Sequence, residues 1–369
     1  MKKLIIFVDA LPFKKIDLLK KVSEELKISK IKPSYGYSVN LHYLMFDGKT
    51  PDDVGFFGEY KFNNDYVKEK DSNILKNIDI TLEKLKLEFF RKAFRKFILK
   101  INDMIPYKRR KFFKKEGKYF FRELNESKVY MGEKYEVYLE ELDKDLPKNF
   151  IERCNVLEEK ITKIIRKNEK VIISLYSLDY CGHLYGTDKK EYDDLVIAYD
   201  KMLSNIIVKA KEDEFEKIVL VSDHGMTSTK KHISLEKFEE IFGEKFGKDV
   251  VYFYDSLYFS AKSLTKSGDK IVNKIREYFK EIEGSEISLE EREKYGINDN
   301  AFGEFIFVLN DGLAFSPNYF GYSKLNGYHG YAPGNTNQYG IVALNNFDNL
   351  NREYTSEEFN NLINSYLRG

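Results

Sequence analysis

The sequence predicts an α/β protein built on a doubly wound, mostly parallel sheet flanked by helices. Three observations carry the prediction. Apolar runs without alternation at residues 4–8, 171–176 and 218–221 have the pattern of strands buried on both faces. Segments with helical periodicity at 16–26, 149–167 and 192–211 lie between them, and alternation of this kind forms parallel sheets through right-handed crossovers. Each run also leads into an Asp-containing loop (Asp9, Asp179, then Asp223 with His224), and such sheets bind ligands beyond the carboxyl ends of their strands.

The first apolar run stops at Asp9 and is followed by no small-residue cleavage site, so it reads as a strand rather than a signal peptide. Residues 33–51 read as a Gly-containing turn and then a short helix, with Ser38 at its start. Unpaired N–H groups and the helix dipole favour an anion there, although many serines so placed are only N-caps. Residues 60–147 break the alternation with a helical, basic and aromatic stretch. Residues 250–320 predict a strand (250–259), a helix (269–282) and a second strand (304–309). The chain returns through His329 to a last strand at 340–344 and a closing helix at 356–367. The expected organisation is a core of 1–59, 148–249 and 321–369, a helical cap insertion at 60–147, and a smaller α+β insertion at 250–320.

A chain of 369 residues with 42% apolar content has ample material for a core, and its 27 Tyr and 29 Phe make that core aromatic. A net charge of +1 argues against a general polyanion binder. Two cysteines, Cys154 and Cys181, fit no disulfide framework, so a cytoplasmic location is the expectation, with the inner membrane surface as an added docking place. No run approaches the roughly 18 apolar residues that cross a bilayer.

Three strings concentrate metal-binding side chains: Asp179-Tyr-Cys-Gly-His183, Ser222-Asp-His-Gly-Met226 and Gly327-Tyr-His-Gly-Tyr331. Three of the five histidines (His183, His224, His329) lie in them. With Asp9, Asp179 and Asp223 they supply three carboxylates and three imidazoles, enough for two ions of the zinc type. Gly182 suggests a tight loop that folds Asp179 and His183 onto one ion. The plainer reading, that these residues cap helices and close turns, fits any one of them better than it fits the ordered set. His42 and His232 lie outside the strings and read as ordinary surface or core histidines.

On these strings, with Ser38 and Asp9, the chain resembles the alkaline phosphatase superfamily, in particular its nucleotide pyrophosphatase/phosphodiesterase-like branch. The resemblance implies an alkaline phosphatase-like core. It implies that Asp9, Ser38, Asp223 and His224 ligate one metal, with Ser38 as nucleophile, and that Asp179, His183 and His329 ligate the other. The metals implied are zinc, with manganese or magnesium in some branches. The reaction implied is attack of Ser38 on phosphorus, through a phosphoserine intermediate, on a phosphodiester or pyrophosphate. Where many relatives place a phosphate-binding Asn this chain has Glu59, whose charge would repel phosphate; Lys49 is a candidate compensating cation. Lys49 and Glu59 are therefore the candidate substrate contacts. Alternatives on the same site are a phosphomonoesterase or a phospho-group transferase. A different class altogether would be a non-catalytic lipid- or polyanion-binding protein.

From Lys84 to Arg122 the chain carries fifteen Lys/Arg against three acids. Phe89, Phe90, Ala93, Phe94, Phe97, Ile98 and Ile101 recur there at helical spacing, with Arg91, Lys92, Arg95, Lys96 and Lys100 on the remaining face. Three readings compete. The Phe face packs on the domain while the basic face meets water, residues 88–118 lie on anionic lipid and suit a lipid-linked substrate, or the basic stretch steers small phosphate-rich molecules to the site. Nucleic acid is disfavoured by the neutral overall charge and the lack of a recognisable module.

Overall fold

Strand β1, Lys2–Val8, is fully buried from Leu4 onward and sits inside the main sheet. The computed structural model describes residues 1–65, 74–85, 87–99, 101, 103–115, 117, 119–139, 146–321, 324–347, 350 and 353–368. The other strands of this sheet are β2 (Lys27–Lys32), β3 (Glu136–Tyr138), β4 (Lys170–Leu175), β5 (Phe215–Val221), β6 (Gly340–Leu344) and β7 (Glu353–Thr355). Their order is β7-β2-β6-β5-β1-β4-β3. The β1 pairings with β4 and β5 are parallel, as are β3 with β4 and β7 with β2, whereas β6 runs antiparallel to both neighbours.

Alternate β1 residues feed opposite faces of the sheet. Leu4, Ile6 and Val8 join a core with α4 (Phe150–Ile165) and α6 (Lys190–Glu212), which contribute Leu157, Ile161, Leu195, Tyr199 and Leu203. Helix α4 starts where the Asn149 side chain accepts hydrogen bonds from the Ile151 and Glu152 N–H groups at 2.9 and 3.1 Å, an N-cap contact. On the other face Phe7 meets Phe46 of α2 (Ser38–Asp47) and Phe121 of α3 (Phe120–Ser127). The closing helix α7, Ser356–Arg368, places Phe359 edge-on to Phe46. The α/β expectation and the mostly parallel sheet match this architecture.

The chain forms two compact units: Met1–Val54 with Gly117–Thr229 and Leu325–Gly369, and Gly55–Glu116 with Lys230–Lys324. These limits differ from the expected ones for physical reasons. Residues 117–139 do not belong with the preceding basic stretch, because α3 buries Phe120 and Phe121 and β3 extends the main sheet beside β4. Residues 230–249 join the second unit, where Phe238 packs against Tyr252, Phe259 and Phe279. That unit holds an antiparallel sheet in the order Val250–Tyr254, Tyr258–Ser263, Phe305–Leu309, Gly284–Glu286. The single strand expected at 250–259 is thus a hairpin. Asp255 turns it by accepting from the Leu257 and Tyr258 N–H groups, both at 2.8 Å.

The basic segment holds the largest departure. Helices Ile74–Lys84 and Glu88–Phe94, the latter continued by Arg95–Leu99, overturn the first of the three readings, in which the Phe face packs on the domain. Arg91 and Arg95 are 2% and 1% exposed, whereas Phe89, Phe90 and Phe97 are 78%, 62% and 65% exposed. Asp79 is the reason. Its buried carboxylate takes a two-pronged contact from Arg95 at 2.7 and 2.6 Å, and Arg95 also donates to the Asp103 and Ile105 carbonyls at 2.9 and 2.7 Å. Arg91 Nη2 reaches Glu83 at 3.0 Å. Burial alone would raise the Asp79 pKa, but Arg95 and Arg91 outweigh it and hold the group below its ordinary value. A charge pair with every donor satisfied is stable inside. Lys86, Lys100, Glu116, Lys118 and the Glu88 side chain lie outside the described residues.

Replacing Arg95 by Met leaves the Asp79 carboxylate with only the longer Arg91 contact at 3.3 Å and is expected to cost about 3 kcal/mol. Phe97→Ser, at an exposed site, is expected to change stability by no more than about 0.5 kcal/mol. Urea unfolding ranks the two, and the reverse ranking would place the Phe face inside.

Candidate metal centre

The carboxyl ends of β1, β4 and β5 deliver the first ligands to one edge of the sheet. Asp9 follows β1 directly, and Asp223 and His224 follow β5 after Ser222. The Ser222 Oγ ties the two ends together, accepting from Leu11 N–H at 2.8 Å and donating to the His224 carbonyl at 2.9 Å. After β4 the chain does not form the tight loop expected around Gly182. It enters α5, Ser177–Tyr185, where Asp179 and His183 share a face through i,i+4 spacing. Gly182 is needed instead for packing, because a Cβ there would collide with Met226 Sδ. His329 follows the short strand Gly327–Tyr328, which pairs antiparallel with Thr227–Ser228.

Ser38 is the first residue of α2, and its turn is fastened by Asn40, whose side chain accepts from Tyr37 N–H at 2.9 Å and donates to the Tyr35 carbonyl at 3.0 Å. The turn passes through Gly36 at φ +107°, a conformation that disfavours any side chain. Ser38 therefore does not spend its hydroxyl on capping; its Oγ lies 2.8 Å from His224 Nε2.

Two donor sets result. Around His224 Nε2 lie Ser38 Oγ at 2.8 Å, Asp9 Oδ1 at 3.3 Å and Asp223 Oδ2 at 3.4 Å. Around Asp179 Oδ1 lie His183 Nε2 and His329 Nε2, each at 3.5 Å. Ligands on a tetrahedral zinc with bonds of about 2.0–2.1 Å stand roughly 3.3 Å apart, so both spacings suit an ion of that size. The Nδ1 atoms of His183 and His224 face the carbonyls of Gly327 and Gly225 at 2.8 and 2.7 Å. A carbonyl only accepts, so Nδ1 carries the proton and the neutral ring offers Nε2 as a ligand.

The electrostatics call for a cation. Asp9 Oδ1, Asp179 Oδ1 and His329 Nδ1 are buried without a hydrogen-bond partner among the described residues. Burial, followed by the charges of Asp223 and Asp179, pushes the Asp9 carboxyl well above its ordinary value. Burial also raises Asp179. Burial opposes charge on Asp223 too, but His224 and His42 hold it below the ordinary value. For His224, burial works against the proton, yet Asp223 and Asp9 push it up to about 10. Burial and the His224 ring drive His329 the other way, well below its ordinary value. The two rings stack at 3.7 Å, which suits neutral imidazoles bound to separate ions better than an imidazolium.

All seven predicted ligand residues thus lie in these two sets, and Asp9, Asp179 and His224 themselves form a group within 4.8 Å that links them. Lys49 is exposed and pairs with Asp47 at 2.6 Å. Glu59 belongs to the second unit, 3.6 Å from Lys115. His232 lies there too, in the strand Lys231–Ile233.

Sequence reading missed His42. It is no bystander: its Nε2 stands 3.1 Å from Asp223 Oδ2, and its ring packs edge-on against Phe7 and Phe121. The available signal was its i,i+4 relation to Ser38 on one helix. Two more residues gave no sequence signal, Arg122 and Asn125 of α3. With Ser38, Asp9, Tyr119 and Tyr176 they line a cavity of about 410 Å³.

His42→Phe keeps the ring packing but removes the contact to Asp223. If Asp223 is a ligand, the change is expected to weaken metal binding about 10- to 100-fold, as loss of a ligand's supporting contact does. Competition with a chromophoric chelator measures this, and unchanged affinity would reduce His42 to core filling.

Comparisons with known proteins bear on the fold and the family. No curated protein matches the sequence. Among solved structures, murine ectonucleotide pyrophosphatase/phosphodiesterase 5 in an inactive form with AMP aligns at TM-score 0.64 and 16% identity, covering 100% of this chain and 95% of that one. Another structure of the murine protein and one of its human counterpart align at the same TM-score and coverage, with 15% and 14% identity. These likenesses show the fold. The family model for type I phosphodiesterase / nucleotide pyrophosphatase matches residues 42–332, most of the chain, and with it the chain belongs to that family.

Proposed function

We propose that this protein hydrolyses a phosphodiester or pyrophosphate bond of a nucleotide-type small molecule, with Ser38 as nucleophile and two divalent ions, zinc first among them, as cofactors. The observation that supports this most is the meeting of the Ser38 hydroxyl with two adjoining Asp/His sets that have the spacing of metal ligands. Asp9, Ser38, Asp223 and His224 would hold one ion, and Asp179, His183 and His329 the other. When bound, such ions supply the positive charge that favours a serine alkoxide and the negative charge developing on phosphoryl oxygens.

The chain's own groups account for the rest. Ser38 sits at the N-terminus of a ten-residue helix, a position favourable to phosphate. Its Oγ forms a bond to phosphorus as the bond to the leaving oxygen breaks, and water then cleaves the phosphoserine ester to free the enzyme. His42 keeps Asp223 ionised and oriented. Arg122, whose guanidinium lies 5.1 Å from the Tyr119 ring centre, and Asn125 offer donors to phosphoryl oxygens from the cavity wall. They take the part for which the sequence offered only Lys49. Tyr119 and Tyr176 add flat surfaces suited to a planar leaving or ester group, in keeping with AMP in the murine relative.

Zinc-replete protein is expected to cleave bis-p-nitrophenyl phosphate faster than p-nitrophenyl phosphate; a strong monoester preference would favour a phosphomonoesterase. Ser38→Ala is expected to keep its fold and at least one metal while losing roughly 10³- to 10⁶-fold in kcat, the range typical of a removed nucleophile. Near-normal turnover would assign the attack to another group. Arg122→Ala is expected to raise KM about tenfold with little change in kcat, the loss of one charged hydrogen bond. Steady-state kinetics on the diester separates the two effects, and an unchanged KM would remove Arg122 from the phosphate contacts.

A further inference from the structure

The helical pair of the second unit carries an exposed apolar face. Leu85, Phe89, Phe90, Phe97 and Ile98 are each more than half exposed. Positions 89/90, 93/94 and 97/98 recur every four residues and so share one side of the helix. Phe89 and Phe90 pack edge-on to one another at 5.7 Å. Exposed apolar clusters of this kind mark interaction surfaces.

The charges are sorted as sharply as the apolar residues. Asp79 and Glu83 face inward and are taken by Arg91 and Arg95. The exposed charges described on these helices are Lys84, Lys92 and Lys96, none of them paired with a described carboxylate. Lys96 Nζ lies 5.8 Å from the Phe97 ring centre, a cation beside an aromatic that points to water. Aromatic rings flanked by lysines, with no fully exposed acid among the described side chains of these helices, complement a surface that is apolar below and negative above.

We propose that this face docks on an anionic lipid bilayer, its phenylalanines entering the interface and its lysines meeting headgroup phosphates. A second copy of the same face would set lysines against lysines, which disfavours self-association as the explanation. The protein would lie on the bilayer rather than cross it, since among the described residues no helix is long and apolar enough to span one.

The chain has no Trp, so the indole of a Phe90→Trp variant reports on this face alone. With vesicles of phosphatidylcholine containing phosphatidylglycerol, its emission is expected to shift to the blue. Vesicles of phosphatidylcholine alone should leave it unchanged, and added salt should weaken binding. Each lysine near an anionic surface is worth roughly fivefold in affinity, so Lys84→Glu, Lys92→Glu and Lys96→Glu together should lower it by at least about a hundredfold. Phe89→Ser with Phe97→Ser should also reduce binding while leaving the far-UV dichroism unchanged; both sites are exposed, so folding is not at stake. No binding, equal binding to neutral and anionic vesicles, or a blue shift accompanied by dimerisation without lipid would each overturn the proposal. No substrate enters the assay, so its outcome is independent of the hydrolase reading.

Discussion

Two buried carboxylates and a third that is partly buried, gathered at one sheet edge, are tolerable only beside positive charge, and the rest of the first unit is arranged around that constraint. Burial and the neighbouring carboxylates raise Asp9 and Asp179, whereas His224 and His42 hold Asp223 below its ordinary value. Protonated histidine meets part of the demand, which is why His224 is pushed up to about 10. It does not meet all of it, because one Nε2–H has a single proton and three oxygens around it. Divalent ions satisfy the same oxygens without leaving any of them orphaned. The fold answers the constraint with rigid parts. Two ligand groups leave the ends of central strands, two share a helix face, and two carbonyls fix which ring nitrogen is offered.

Much of this was legible in the chain because its signals are local. A buried parallel strand is an unbroken apolar run, and its end is marked by the first Asp. Three such ends predicted both the sheet and the meeting place of residues as distant as Asp9 and His329. The Gly182 string was misread in form but not in consequence: a helix with i,i+4 ligands and a tight loop both bring Asp179 and His183 together.

What escaped was decided by contacts far along the chain. Strand β2 (Lys-Ile-Ser-Lys-Ile-Lys) spaces Ile28 and Ile31 three residues apart, a pattern compatible with the helix before it, and only its β6 and β7 partners settle it. His42 looked ordinary since its role depends on Asp223, which lies elsewhere in the sequence. The basic helix failed for a different reason. Periodicity identifies two faces but not which one turns inward, and the usual assumption that phenylalanine does was overruled by Asp79. A buried carboxylate demands a guanidinium more strongly than a helix demands an apolar seat. The described part of this helical pair therefore keeps Asp79 and its two arginines inside and leaves phenylalanines and lysines outside.

The central claim is that Ser38 stands beside a pair of metal ions held by Asp9, Asp223 and His224 on one side and Asp179, His183 and His329 on the other. Anomalous diffraction at the zinc absorption edge, from crystals grown with zinc, tests it most directly. The account predicts two strong peaks, one within bonding distance of each set and the first adjoining the Ser38 hydroxyl. Peaks on other residues, or a site in which Ser38 faces neither ion, would contradict it.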